Sequence, residues 1–170
     1  MNTCSFALDA ALLDLAAWCR LAHEMLNPDP EQAESPRMRV LKQELQRVHR
    51  RSLLQLRRWT GEGEIRTDQA THRPKAWNEV EAALNAPDDR VALAACALLQ
   101  RAVLAAYDRA ADRAWSSPEA LQTIRNQKQE LTTVYNTYSR KHVTAPAAIS
   151  TLREAVALPG TGALTQSFAS

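Results

Sequence analysis

The chain has 170 residues, with 30 Ala and 21 Leu against 11 Val plus Ile, 4 Gly, and a net charge of +2. Ala, Leu, Arg, Gln and Glu favour helix, whereas strands draw on β-branched and aromatic residues, so the composition excludes a β-sandwich or a parallel-sheet enzyme and leaves an all-α protein. Scarce glycine argues against phosphate-cradling loops, and so small a charge does not by itself imply a polyanionic partner.

A first helix is expected from about Phe6 to Leu26. Leu8, Leu12, Leu15, Cys19, Ala22 and Leu26 recur at three- and four-residue steps and form one apolar stripe. The segment lacks a basic N-terminal region, and Asp9 and Asp14 interrupt it, so it does not read as a signal peptide. No stretch approaches 18 uncharged apolar residues, so no membrane span is expected, and the cytoplasm is the expected location. Asn27-Pro28-Asp29-Pro30 ends the helix, because proline cannot continue its hydrogen bonding.

Ser35 is a good N-cap, and Pro36 suits the first position of a second helix. Its stripe is Met38, Leu41, Leu45, Val48, Ser52, Leu56 and Trp59, and Gly61 supplies the stop. Residues 61–73 form a polar crossover. Pro74 opens a short helix that turns Trp77, Val80, Ala83 and Leu84 inward, before Asn85-Ala86-Pro87 breaks it. A third long helix runs from an Asp88 cap to about Trp115 on a stripe of Leu93, Cys96, Ala97, Gln100, Leu104, Tyr107 and Ala111. Ser117-Pro118 opens a fourth, with Leu121, Ile124, Lys128, Leu131, Tyr135, Tyr138 and His142 inward. Pro146 opens a last short helix through Val156, and a flexible tail follows from Leu158.

Four amphipathic helices must bury their stripes against one another. Short connections within each pair and a long one between the pairs give two helical hairpins joined by a crossover. Residues 1–143 are assigned to this unit and 144–170 to the C-terminal short helix and tail. Cys19-Arg-Leu-Ala-His23 aligns with Cys96-Ala-Leu-Leu-Gln100, so the hairpins read as a duplication.

Certain residues of this pattern carry a resemblance. They are Cys19, Gly61 with its acidic neighbours, His72-Arg73 followed by Trp77, and Ala83-Leu84 before Asp88-Asp89. They continue with Cys96 through Ala106-Tyr107, then Gln127 and Glu130. Over about residues 8–142 the chain resembles a bacterial ferritin-like family of unknown function, allied to rubrerythrins and ferritins. The resemblance implies an antiparallel ferritin-like four-helix bundle. In that family a Gly-Glu pair follows the cysteine in both the first and third helices; here those places hold Ala22-His23 and Leu99-Gln100. A histidine common in the last helix is replaced by Tyr135. A ferritin-like di-iron centre uses four carboxylates and two imidazoles, with Glu-x-x-His on two helices. The chain contains no Glu-x-x-His, and Gln46-x-x-His49 comes nearest.

His23, Glu44, His49 and Gln100 therefore form a candidate polar cluster in which only Glu44 and Glu24 could supply negative charge. The expectation is a degenerate metal site with no cofactor, the polar side chains bonding one another to set helix register. Iron binding is the alternative. Three cysteines without a CxxC pair indicate neither a disulfide framework nor zinc. No nucleophile elbow or other catalytic motif is present, and no catalytic residue is assigned.

Between Arg37 and Arg58 lie eight basic residues and one acid, Glu44. Arg39, Lys42, Arg50 and Arg57 lie opposite the stripe, flanked by Arg47, Arg51 and Arg58, and could meet an acidic protein or phosphates. The absence of interleaved aromatics disfavours nucleic acid. Trp59, Trp77 and Trp115 are expected to plug helix ends, and Tyr107, Tyr135 and Tyr138 to lie in the core. The reading that follows is a cytoplasmic, non-catalytic, protein-binding or stress-related accessory, as a homodimer or with an acidic partner. The alternatives are an iron-binding or iron-oxidising protein and an anion or nucleic-acid binder.

Overall fold

A computed structural model describes residues 3–27, 35–61, 64–71 and 77–139, with side chains from residue 7 onward. The Pro28–Pro30 break, His72-Arg73, Pro74 and everything from residue 140, including His142 and the expected last helix, lie outside the described residues. The described residues form five α-helices: α1 (Thr3–Met25), α2 (Pro36–Thr60), α3 (Trp77–Leu84), α4 (Asp89–Arg113) and α5 (Pro118–Ser139). Short 3₁₀ turns occupy Thr67–Gln69 and Ala114–Ser116, and there is no strand among the described residues.

The punctuation follows local chemistry. Ser35 Oγ accepts from Met38 N at 3.2 Å, and Pro36 takes the first helical position, where a missing N–H costs nothing. Gly61 closes α2 at φ +78°, its N–H donating to Arg57 O at 3.0 Å. Asp88 Oδ1 accepts from Arg90 N at 2.8 Å to cap α4, and Ser117 Oγ accepts from Ala120 N at 3.4 Å to cap α5.

α1 packs most extensively on α2 and α4, α5 packs on the same two helices, and α3 lies on α4. Side-chain contacts fix the directions. Asp14 and Cys19 of α1 meet Arg109 and Tyr107 of α4 in reverse order, so these helices run antiparallel. Arg51, Gln55 and Arg58 of α2 meet Glu130, Gln127 and Glu119 of α5, again in reverse. Ser35, His49 and Ser52 of α2 meet Asp89, Gln100 and Tyr107 of α4 in the same order, so α2 and α4 are parallel.

The expected stripes of α1 and α2 are buried, apart from a half-buried Trp59. α1 is buried more widely than one stripe, with Ala16, Ala17 and Trp18 also enclosed. The reason is the crossover. Trp18 donates its indole N–H to Thr71 O at 3.0 Å and meets Trp77 edge-to-face, ring centroids 5.2 Å apart. The inward line of α4 differs from expectation. Ala92, Ala95, Leu99, Val103, Ala106 and Ala110 are buried beside Cys96, Gln100 and Tyr107, while Leu93, Ala97, Leu104 and Ala111 are half-buried. The buried line is rich in alanine but includes Leu99 and Val103, and so is rotated away from the Leu93–Leu104 line. α5 keeps Ile124 and Leu131 inward as expected, but Leu121, Lys128, Tyr135 and Tyr138 are only half-buried. Ala120, Ile124, Gln127 and Leu131 are buried, whereas Lys128 reaches out to pair with Asp108. Trp115 is not a plug: it is 70% exposed.

The α4 segment Asp89–Ser116 has the length and apolarity of a membrane span, with a mean hydropathy of 1.4 over its best window. Half of that window is buried against the other helices.

Candidate functional site

Among the described residues, two of the polar groups set into the interior bear on the candidate site. In the first, Tyr107 donates its hydroxyl to Ser52 Oγ at 3.0 Å and meets Cys19 Sγ at 3.6 Å, joining α1, α2 and α4. Burial pushes the Cys19 thiol up to about 12, partly offset by its bond to Tyr107, and burial likewise raises Tyr107. Both stay protonated at neutral pH, so Cys19 is not a nucleophile there. From α5, Gln127 donates its amide N–H to Ser52 O at 3.4 Å and to Gln55 Oε1 at 2.8 Å.

The second group is the candidate cluster. His49 and Gln100 are brought together, with His49 Nε2 and Gln100 Nε2 3.4 Å apart. Burial drives the His49 pKa down to about 3, and the nearby His23 charge lowers it further. His49 is therefore neutral, and the Gln100 N–H donates to its Nε2. His49 Nδ1 and Gln100 Oε1 are left buried with no partner. His23 sits half-buried nearby, its own pKa lowered by burial and by Arg50.

Glu44 is not part of this group. It lies at the half-exposed edge of α2, paired with Arg47 at 3.3 Å. Glu24 is exposed and paired with Arg20 at 2.8 Å, and Glu130 is paired with Arg51. The buried carboxylate missed from the sequence is Asp14. Its Oδ1 accepts from Thr71 N at 2.7 Å and Thr71 Oγ1 at 2.9 Å, and its Oδ2 accepts from Arg109 Nη2 at 2.8 Å. Its apolar-helix setting gave no signal, because its partners come 57 and 95 residues later.

A resident metal pair would need these side chains as ligands. The unpartnered interior atoms are an imidazole nitrogen and neutral amide oxygens, and each carboxylate named here already has a cationic partner. Among the described residues, no three His, Cys, Asp or Glu side chains converge as a metal ligand set. Two divalent cations in a low-dielectric interior require anionic oxygen ligands, and the donors among the described residues do not fit a di-iron centre.

On the surface, Arg39, Arg47, Arg50, Arg51, Arg57 and Arg58 are exposed along α2. Lys42, expected among them, is 2% exposed instead. It follows Leu41 on the side turned to the interior, so the basic face is an arginine face. Val40 and Leu54 are exposed beside Arg47 at seven-residue steps. The chain matches no family model, no curated protein and no solved structure.

Proposed function

We propose that this protein is a ferritin-like four-helix bundle that has lost di-iron chemistry and acts as a non-catalytic binding protein. The arrangement of two antiparallel hairpins with α2 and α4 parallel supports the ferritin-like reading, together with the residues of the resemblance. The observation that carries the functional part is the His49–Gln100 pair. It occupies the interior where such a bundle needs carboxylates, and an amide bonded to a neutral imidazole offers no charge to a cation. Elemental analysis of protein purified without chelator tests this. Iron well below one per chain is expected, and two stoichiometric irons per chain would overturn it.

The binding surface in this reading is the outer face of α2, and the partner is an acidic protein. Arg39, Arg50 and Arg57 make no ion pair among the described residues, while Val40 and Leu54 supply apolar contact between them. That mixture of guanidinium and aliphatic surface suits a protein better than a bare phosphate backbone. Polyglutamate serves as the probe: retention should fall steeply from low to high salt and vanish in an Arg47→Glu, Arg50→Glu, Arg57→Glu variant. Salt-independent retention would refute the electrostatic surface.

A further inference from the structure

A cleft of about 150 Å³ opens between α2 and α5, lined by Gln55, Arg58, Trp59, Thr123 and Asn126. Its polar atoms are biased toward donors, and the bias has a structural cause. Gln127 Nε2 touches Ser52 O, which can only accept, so the nitrogen of the Gln127 amide must face that way. The same nitrogen donates to Gln55 Oε1, which fixes the Gln55 amide with its oxygen toward the interior and its NH₂ free. Asn126 bonds Gln122 amide to amide, its Oδ1 accepting from Gln122 Nε2 at 2.8 Å with its NH₂ left over. Arg58 adds a guanidinium whose one carboxylate neighbour, Glu119, is 3.8 Å away, both side chains being 75% exposed. Such a pair holds the guanidinium weakly. Thr123 contributes a hydroxyl, and half-buried Trp59 an apolar wall.

We infer that this cleft is a binding subsite for a small aromatic carboxylate. The carboxylate is held by Arg58 and the Gln55 and Asn126 amides, and the ring lies against Trp59. None of the cleft-lining side chains is acidic, and Glu119, the carboxylate beside Arg58, is not among them. The volume is below the ~300–1,000 Å³ of sites that enclose drug-sized ligands, which limits the occupant to about one ring and its carboxylate. This inference goes beyond the metal-free bundle reading and does not depend on it: a protein found to carry iron could still have the subsite.

The probe is benzoate, titrated at constant ionic strength into the full-length protein, and followed by the NMR signals of the Trp59 indole N–H and the Gln55 and Asn126 side-chain amides. Saturable shifts at these three groups are expected. Arg58→Gln should weaken binding about ten-fold or more, the loss of one charge-assisted contact. Asn126→Asp, which replaces a donor by a carboxylate at an exposed position, should abolish it. Neutral benzamide should leave the signals unmoved. The inference is overturned if benzoate gives no saturable shift, if both variants bind as the wild type does, if benzamide binds equally well, or if inorganic phosphate matches benzoate, which would make the cleft a general anion site.

Discussion

His49 on α2 and Gln100 on α4 meet nitrogen to nitrogen at 3.4 Å inside the core, and each keeps one polar atom without a partner. Of the hydrogen bonds that tie these two parallel helices, this one joins two groups that are costly to bury. Gln100→Leu removes the single bond of a buried imidazole and should cost about 1–3 kcal/mol. Replacing both residues by leucine removes the polar groups together and should cost much less than the sum of the two single changes. Urea unfolding of the four proteins in the cycle measures this; strictly additive costs would show that the two side chains do not interact.

Acid should act through the same imidazole. His49 titrates at about 3 in the folded chain, mainly because of burial, against about 6.5 in the unfolded chain. Below pH 6.5 the unfolded state takes up a proton that the folded state refuses, so stability present above that pH is lost as pH falls toward 3. At ~1.4 kcal/mol per unit the loss attributable to His49 amounts to roughly 3–5 kcal/mol. His23, shifted in the same direction, adds to the slope. Thermal midpoints recorded from pH 7 to 4 should fall markedly for the wild type and less for His49→Gln; equal slopes would remove His49 as the cause.

Helix starts, stops and the all-α class were legible because they rest on local chemistry: Ser35 with Pro36, Gly61, Asp88, and Ser117 with Pro118 act within a few residues of themselves. Which way each helix turns was less legible. On α4, leucine spacing pointed to Leu93 and Leu104, but the buried line runs through Ala92, Ala95, Leu99, Val103, Ala106 and Ala110. Pairing across the chain was not legible at all. The sequence pattern grouped Glu44 with His49 across opposite edges of the α2 stripe, and in the fold Glu44 stays at the half-exposed edge, paired with Arg47. Asp14 looked like an interruption of an apolar run until the crossover supplied Thr71 and α4 supplied Arg109.

Asp14 is the anchor of that crossover. Its side chain is 10% exposed and bonds two Thr71 groups and the Arg109 guanidinium at once. Asp14→Ala leaves Arg109 unpaired at a half-buried site and frees the Thr71 N–H, at an expected cost of about 2–4 kcal/mol. Asp14→Asn keeps one acceptor and should cost less. Hydrogen exchange at the Thr71 amide should accelerate in both variants. An unchanged rate would mean that the segment 64–71 is held by Trp18 and Ile65 instead.

Gly61 offers the cleanest separation of backbone from packing effects. Its φ of +78° with ψ of −179° lies in a region open essentially to glycine alone. An added Cβ would meet nothing within 4 Å, so a substitution there suffers no clash. Gly61→Ala should therefore destabilise by about 1–3 kcal/mol through backbone strain alone. The bond from the Gly61 N–H to Arg57 O should weaken with it, fraying the last turn of α2, which carries Arg57, Arg58 and Trp59. Chemical denaturation with amide exchange at Gly61 and Thr60 reads both effects. If Gly61→Ala matches the wild type in stability and exchange, the turn adopts an ordinary backbone conformation in solution, and α2 is not terminated by a positive-φ glycine.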